Sequence, residues 1–199
     1  MRNFSLFLCL ILLFSCNYNR NSSVNSFEKR TDTLKDSLIE NINPTKQLNN
    51  QFSFLENYEF KSTPLKDSTN FNNFKSNNLL SKEQVELLQL NKKTKEGVSF
   101  KINYRINLSD RFHTIVISYK LGDNELYTVL INYDENYKII DSIDIAFDEI
   151  AESFLRKESK ITKSEIKIKD CDSSSGETKF KISTYKIQPN GKLLKTRQI

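Results

Sequence analysis

The stretch Val98-Ser99-Phe100-Lys101-Ile102-Asn103-Tyr104-Arg105-Ile106-Asn107-Leu108 decides the fold. Its apolar residues Val98, Phe100, Ile102, Tyr104, Ile106 and Leu108 alternate strictly with polar ones, and that period of two belongs to a β-strand with one wet face. A helix would scatter the same six groups around its circumference. Ser109-Asp110 then turns the chain.

The pattern continues downstream. His113 to Leu121 carries Ile115, Ile117, Tyr119 and Leu121 on one face, and Gly122-Asp123-Asn124 turns it. Leu126 to Tyr133 is apolar on both faces, which predicts a central strand covered on both sides. After Asp134-Glu135-Asn136, Tyr137 to Ile145 alternates again. Connections this short favour an antiparallel meander. Three more strands follow: one marked by Ile161, Ile166 and Ile168, one from Phe180 to Ile187, and a last one around Leu193 and Leu194. In the second of these the apolar parity changes after Ser183, as a bulge would produce. Pro189-Asn190-Gly191 reads as a type I turn with glycine in the left-handed position.

Two helices are expected beside the strands. Ser81 and Gln84 form a capping box, with Leu80 and Val85 as its hydrophobic staple, so a helix should run from there to about Lys93. Phe147, Ile150, Ala151, Phe154 and Leu155 keep helical spacing behind Asp148 and Glu149, which predicts a short crossing helix. The fold class is therefore α+β: a curved antiparallel β-meander of about six or seven strands with one or two short packing helices. A small closed β-barrel is the alternative.

Upstream the signal weakens. Between Asn49 and Asn78 the aromatic residues Phe52, Phe54, Tyr58, Phe60, Phe71 and Phe74 are scattered among Asn, Ser and Lys. They pad the core of the following domain or form a docking surface. Asn17 to Arg30 is nearly free of large apolar groups and reads as a tether. Leu34, Leu38, Ile39 and Ile42 share one helical stripe that Pro44 ends.

The amino terminus has the layout of a secretory signal: Arg2, then an apolar run from Phe4 to Phe14 broken only by Ser5. About 11 residues are too few to span a bilayer, which takes about 20. Leu13-Phe14-Ser15-Cys16 resembles the lipobox of bacterial lipoproteins, although Phe14 departs from the usual small residue. The resemblance implies removal of residues 1–15 and lipidation of Cys16. With Asn17 behind it and no early acidic cluster, it also implies an outer-membrane position facing the periplasm. The chain then divides into a signal peptide at 1–15, a lipidated terminus and tether at 16–45, and one globular domain at 46–199. In that domain 46–78 is poorly defined and 79–199 is the core.

Chemistry is sparse in this sequence. Hydrophobic residues make up 37%, and the net charge is +5. His113 is the only histidine, no zinc or calcium spacing occurs, and four glycines leave little room for a phosphate loop. No metal, cofactor or catalytic residue is expected. Cys171 is the one cysteine left after Cys9 and Cys16, and the carboxylates flanking it disfavour a thiolate. Asp141, Asp144, Asp148, Glu149 and Glu152 cluster in sequence, and a small carboxylate-dependent hydrolase is the enzymatic alternative.

Charge asymmetry is the stronger signal. From Asp134 to Glu152 the net charge is −6, and from Arg156 onward it is +7. Lys167, Lys169, Lys179, Lys181 and Lys186 fall on strands expected to be neighbours and could form a face for an anionic envelope glycan, a lipid headgroup or an acidic protein. Alternatively these lysines protect edge strands and keep the domain soluble. The expected function is a non-enzymatic binding module of the cell envelope, attached to the membrane through lipid on Cys16, with no nucleic acid among its partners. A structural envelope spacer is a further alternative.

Overall fold

The computed structural model describes residues 51–71, 74–92, 98–150 and 154–198. Ten strands occur in chain order: β1 (Phe60–Lys61), β2 (Leu65–Ser68), β3 (Phe100–Ile106), β4 (His113–Leu121), β5 (Glu125–Tyr133), β6 (Ile139–Glu149), β7 (Leu155–Ile161), β8 (Glu165–Asp172), β9 (Lys179–Ile187) and β10 (Leu193–Gln198). They make one mixed sheet in the order β1-β3-β4-β5-β6-β7-β8-β9-β10, and β2 pairs with β7 off that path. Strand β1 runs parallel to β3, and all other pairs are antiparallel.

This corrects the expected fold. A six- or seven-stranded meander with packing helices is replaced by an open ten-stranded mixed sheet, and the closed barrel is replaced with it. Two causes account for the difference. Segments 60–61 and 65–68 contribute strands from the stretch with no clear period. The expected crossing helix is also absent from the described residues: β6 runs on to Glu149, and β7 begins at Leu155. Pairing overrides helical spacing here, because the backbone of β5 needs partners along its whole length, down to Glu125 opposite Glu149. Ile150, Phe154 and Leu155, which would have formed the apolar helical stripe, are exposed instead.

The alternating stretch forms β3, with a bulge that the alternation conceals. Ile102 pairs with Ile117 while Tyr104 pairs with Val116, so Asn103 is the extra residue. A bulge reverses which way later side chains point. Phe100 and Ile102 therefore enter one core, and Tyr104 and Ile106 enter another. In the first core, Phe52, Leu55, Val85, Leu88 and Leu90 cover Ile115, Ile117, Val129, Ile131 and Tyr133. In the second, Ile161, Ile166, Ile168 and Ile187 of the later strands cover Val116, Leu130 and Ile145. The sheet thus curls so that β7–β9 lie over β3–β6, and β4 and β5 are covered on both faces.

The helix α1 (Lys82–Leu87) starts as its sequence indicates. The Ser81 amide donates to Gln84 Oε1 at 2.9 Å, and the Gln84 amide donates to Ser81 Oγ at 3.3 Å. It ends earlier than Lys93, because Gln89 adopts φ 56° and the buried Tyr133 hydroxyl donates to the Leu88 carbonyl at 3.1 Å. That bond occupies an acceptor the next helical turn would have used. The Pro189-Asn190-Gly191 turn is fixed against β5: Gly191 has φ 82°, and its carbonyl accepts from Asn132 Nδ2 at 2.7 Å. A Cβ on Gly191 would lie 2.9 Å from Ile140 Cδ1.

Candidate functional site

Directly paired residues share a face of a sheet, and alternate residues point oppositely. Register therefore sorts the side chains of β2 and β7–β10 into a core face and an outer face. Ile161, Ile166, Ile168 and Ile187 belong to the core. On the outer face, Lys66 of β2 lies opposite Lys160 of β7, which lies opposite Lys167 of β8. Thr184 of β9 and Arg197 of β10 continue the same row. Three lysines thus stand in line on adjacent strands, whose backbones lie about 4.8 Å apart. Like charges directly opposite one another are destabilising.

A second row runs Ser68, Glu158, Lys169, Ile182, and a third runs Glu165, Lys186, Leu194. Lys167 pairs with Glu165 at 3.1 Å, and Lys169 pairs with Glu158 at 3.4 Å. Exposed pairs of this kind contribute at most about 1 kcal/mol. A further row runs Arg156, Cys171, Phe180, so by register seven cations (Lys66, Arg156, Lys160, Lys167, Lys169, Lys186 and Arg197) share this face with Glu158 and Glu165, Arg156 being paired with Asp148. Among them stand Phe180, Ile182 and Leu194, which are 56%, 40% and 56% exposed. The Lys169 ammonium sits 4.1 Å from the centre of the Phe180 ring. A shallow groove of 250 Å³ crosses this face between Lys66, Lys160, Lys167, Lys169 and Ile182.

Of the five lysines expected to act together, Lys167, Lys169 and Lys186 share the outer face. Lys179 and Lys181 have the opposite parity, lying across from Asp172 and Asp170. They line a 520 Å³ groove with Tyr127, Phe147 and Leu155, and Phe180 borders it as well. The expected bulge after Ser183 is absent, since β8 and β9 pair without interruption from Glu165–Lys186 to Asp172–Lys179. That continuity leaves Phe180 and Ile182 outside the core. Sequence reasoning missed Lys66, Lys160 and Arg197. Lys66 lies in the stretch without a period, and Lys160 follows the segment read as a helix.

A second concavity borders the first across β2. It encloses 440 Å³, and Lys66, Asp67 and Ser68 line both. Asp67 accepts a hydrogen bond from the Tyr104 hydroxyl, and the Lys61 ammonium lies 4.2 Å from the centre of the Tyr104 ring. Burial raises the Asp67 carboxyl above its ordinary range, partly offset by Tyr104 and Lys61. Burial and the adjacent Asp67 push the Tyr104 hydroxyl upward. Along the wall, Asn103 Nδ2 donates to Ser118 Oγ at 2.6 Å. Ser118 and Thr128 share a hydrogen bond of 2.7 Å, and Thr128 and Thr69 share one of 2.8 Å. Asn103, the bulged residue of β3, thus has a place in the groove.

The carboxylate cluster is dispersed into structural contacts. Asp141 accepts from the backbone amides of Ser142 and Leu193, and Glu149 accepts from that of Leu155. Buried Asp148 accepts from the Phe71 amide at 2.8 Å and pairs with Arg156 at 3.4 Å. None of Asp141, Asp144, Asp148 or Glu149 lines the outer-face groove, the groove behind β2, the groove at Phe147 or the cleft at His113, and Glu152 lies outside the described residues. His113 stacks on Tyr137 at 4.7 Å, and burial together with Arg105 lowers its pKa. Cys171 is half-buried with its thiol pKa raised, chiefly by desolvation. Among the described residues, no group of three or more His, Cys, Asp or Glu side chains could hold a metal ion, and no helix is long and apolar enough to cross a membrane. Cys16 and the tether lie outside the described residues. No protein-family model, curated protein or solved structure matches the chain.

Proposed function

We propose that this chain is a lipid-anchored envelope protein, attached through Cys16 to the outer membrane and facing the periplasm, and that its β domain is a non-enzymatic binding module for an anionic glycan. The observation that carries the reading is the row Lys66, Lys160, Lys167 on the outer face. Solubility and edge protection need scattered charge. They do not call for three cations placed directly opposite one another on successive paired strands. An anion laid along the row turns that repulsion into attraction.

The neighbouring apolar groups select the kind of anion. Phe180, Ile182 and Leu194 are exposed among the cations, so the surface matches a ligand with both charges and apolar C–H faces, as a uronic-acid polymer has. Lipid on Cys16 supplies the anchor, and the Asn- and Ser-rich segment behind it supplies reach.

The test is titration of the full chain, purified in neutral detergent, with oligouronates at two salt concentrations. Replacing Lys66, Lys160 and Lys167 together by Gln should weaken binding at least tenfold and flatten its salt dependence. Equal affinity in the triple variant contradicts the reading and favours the spacer role.

A further inference from the structure

We infer that the polar groove behind β2, between Lys61, Asp67, Thr69, Lys101, Asn103 and Tyr104, is a subsite that receives one acidic sugar unit of that glycan; the inference rests on the binding reading above. The first support is continuity. Lys66, Asp67 and Ser68 line both the outer-face groove and this one, so a polymer lying along the lysine row passes over β2 directly into it. The second is size. Its 440 Å³ falls within the range of about 300–1,000 Å³ typical of small-molecule sites.

The third support is chemistry. A sugar presents hydroxyls that both donate and accept, and this wall offers groups that do the same. The chain Asn103, Ser118, Thr128, Thr69 passes through Thr128, which is fully buried, and its other three members line the groove. Its members orient one another before any ligand arrives, which lowers the ordering cost of binding. Asp67, oriented by the Tyr104 hydroxyl, supplies an acceptor for a sugar hydroxyl. Lys61 and Lys101 at the rim supply the charge that a carboxylate on the sugar ring needs. The outer face therefore attracts polyanions, and this groove distinguishes a saccharide among them.

Discrimination between probes of equal charge tests the subsite. The full chain in neutral detergent is titrated with hexasaccharides of galacturonate, mannuronate and guluronate, and with hexaglutamate. At least one hexasaccharide should bind tenfold or more tightly than the peptide. Thr69→Val with Tyr104→Phe should abolish that preference while leaving hexaglutamate affinity within twofold. Lys101→Gln, a rim change with little demand on folding, should lower hexasaccharide affinity about three- to fivefold. Equal binding of all four probes, or a preference that survives both sets of substitutions, overturns the subsite alone. Binding of none of the probes overturns the glycan reading together with it.

Discussion

Strands β5 and β9 each contain nine residues of the same sheet, yet seven of the nine are buried in β5 and only two in β9. The difference follows from what covers them. β5 lies between two cores, with α1 and the turns before it on one side and the later strands on the other. β9 has a core on one side and the lysine face on the other. A sheet that curls over itself can therefore place its stability in the half covered twice, leaving the half covered once free to present a surface. The two grooves that meet at Lys66 lie where these halves adjoin.

Substitution should reproduce the contrast, with the largest effect in β5. Leu130→Ala removes a side chain with no exposed surface at the centre of the second core, and should cost about 3–5 kcal/mol in denaturant unfolding. Ile182→Ser on β9 should change stability by less than about 0.5 kcal/mol. Comparable losses at both sites would mean that the halves are not separated in this way.

An intermediate effect is expected where the halves are tied together. Gly191 hydrogen-bonds to Asn132 of β5 and sits against Ile140 and Phe112. Gly191→Ala forces a left-handed conformation and a steric overlap together, and should cost about 2–4 kcal/mol. The accompanying sign is earlier loss of protection at the amides of β10 than at those of β5 in hydrogen exchange.

Much of the doubly covered half was legible because burial imposes pattern. Alternation marked β3, β4 and the middle of β6, apolar residues on both faces marked β5, and the Ser81–Gln84 box marked the start of α1. The singly covered half was less legible for the same reason. In β7 only Ser159 and Ile161 are buried, so its sequence carries little of the period by which strands are recognised. Phe180 and Ile182 misled in the opposite direction: being apolar, they read as core and suggested a bulge that β9 does not contain. The bulges that do occur, at Asn103, twice in β6 and at Thr196 in β10, were invisible because a single extra residue leaves no mark on composition. Lys167, Lys169 and Lys186 were found from charge alone, but the row they complete depends on register with β2 and β7. The polar groove could not be anticipated, since it joins Asp67 to Tyr104 and Thr69 to Thr128 across long stretches of chain.

The central claim is that the lysine row is maintained for a ligand at some cost to the fold, and Lys160→Thr tests it most directly. Lys160 stands between Lys66 and Lys167, so its removal relieves repulsion on both sides and introduces a residue suited to a strand. Unfolding stability and oligouronate affinity are measured on the same preparation of the full chain in detergent. The prediction is a gain of about 0.2–1 kcal/mol in stability together with a loss of affinity of fivefold or more. A variant that is less stable, or one that binds as tightly as the natural chain, would contradict it.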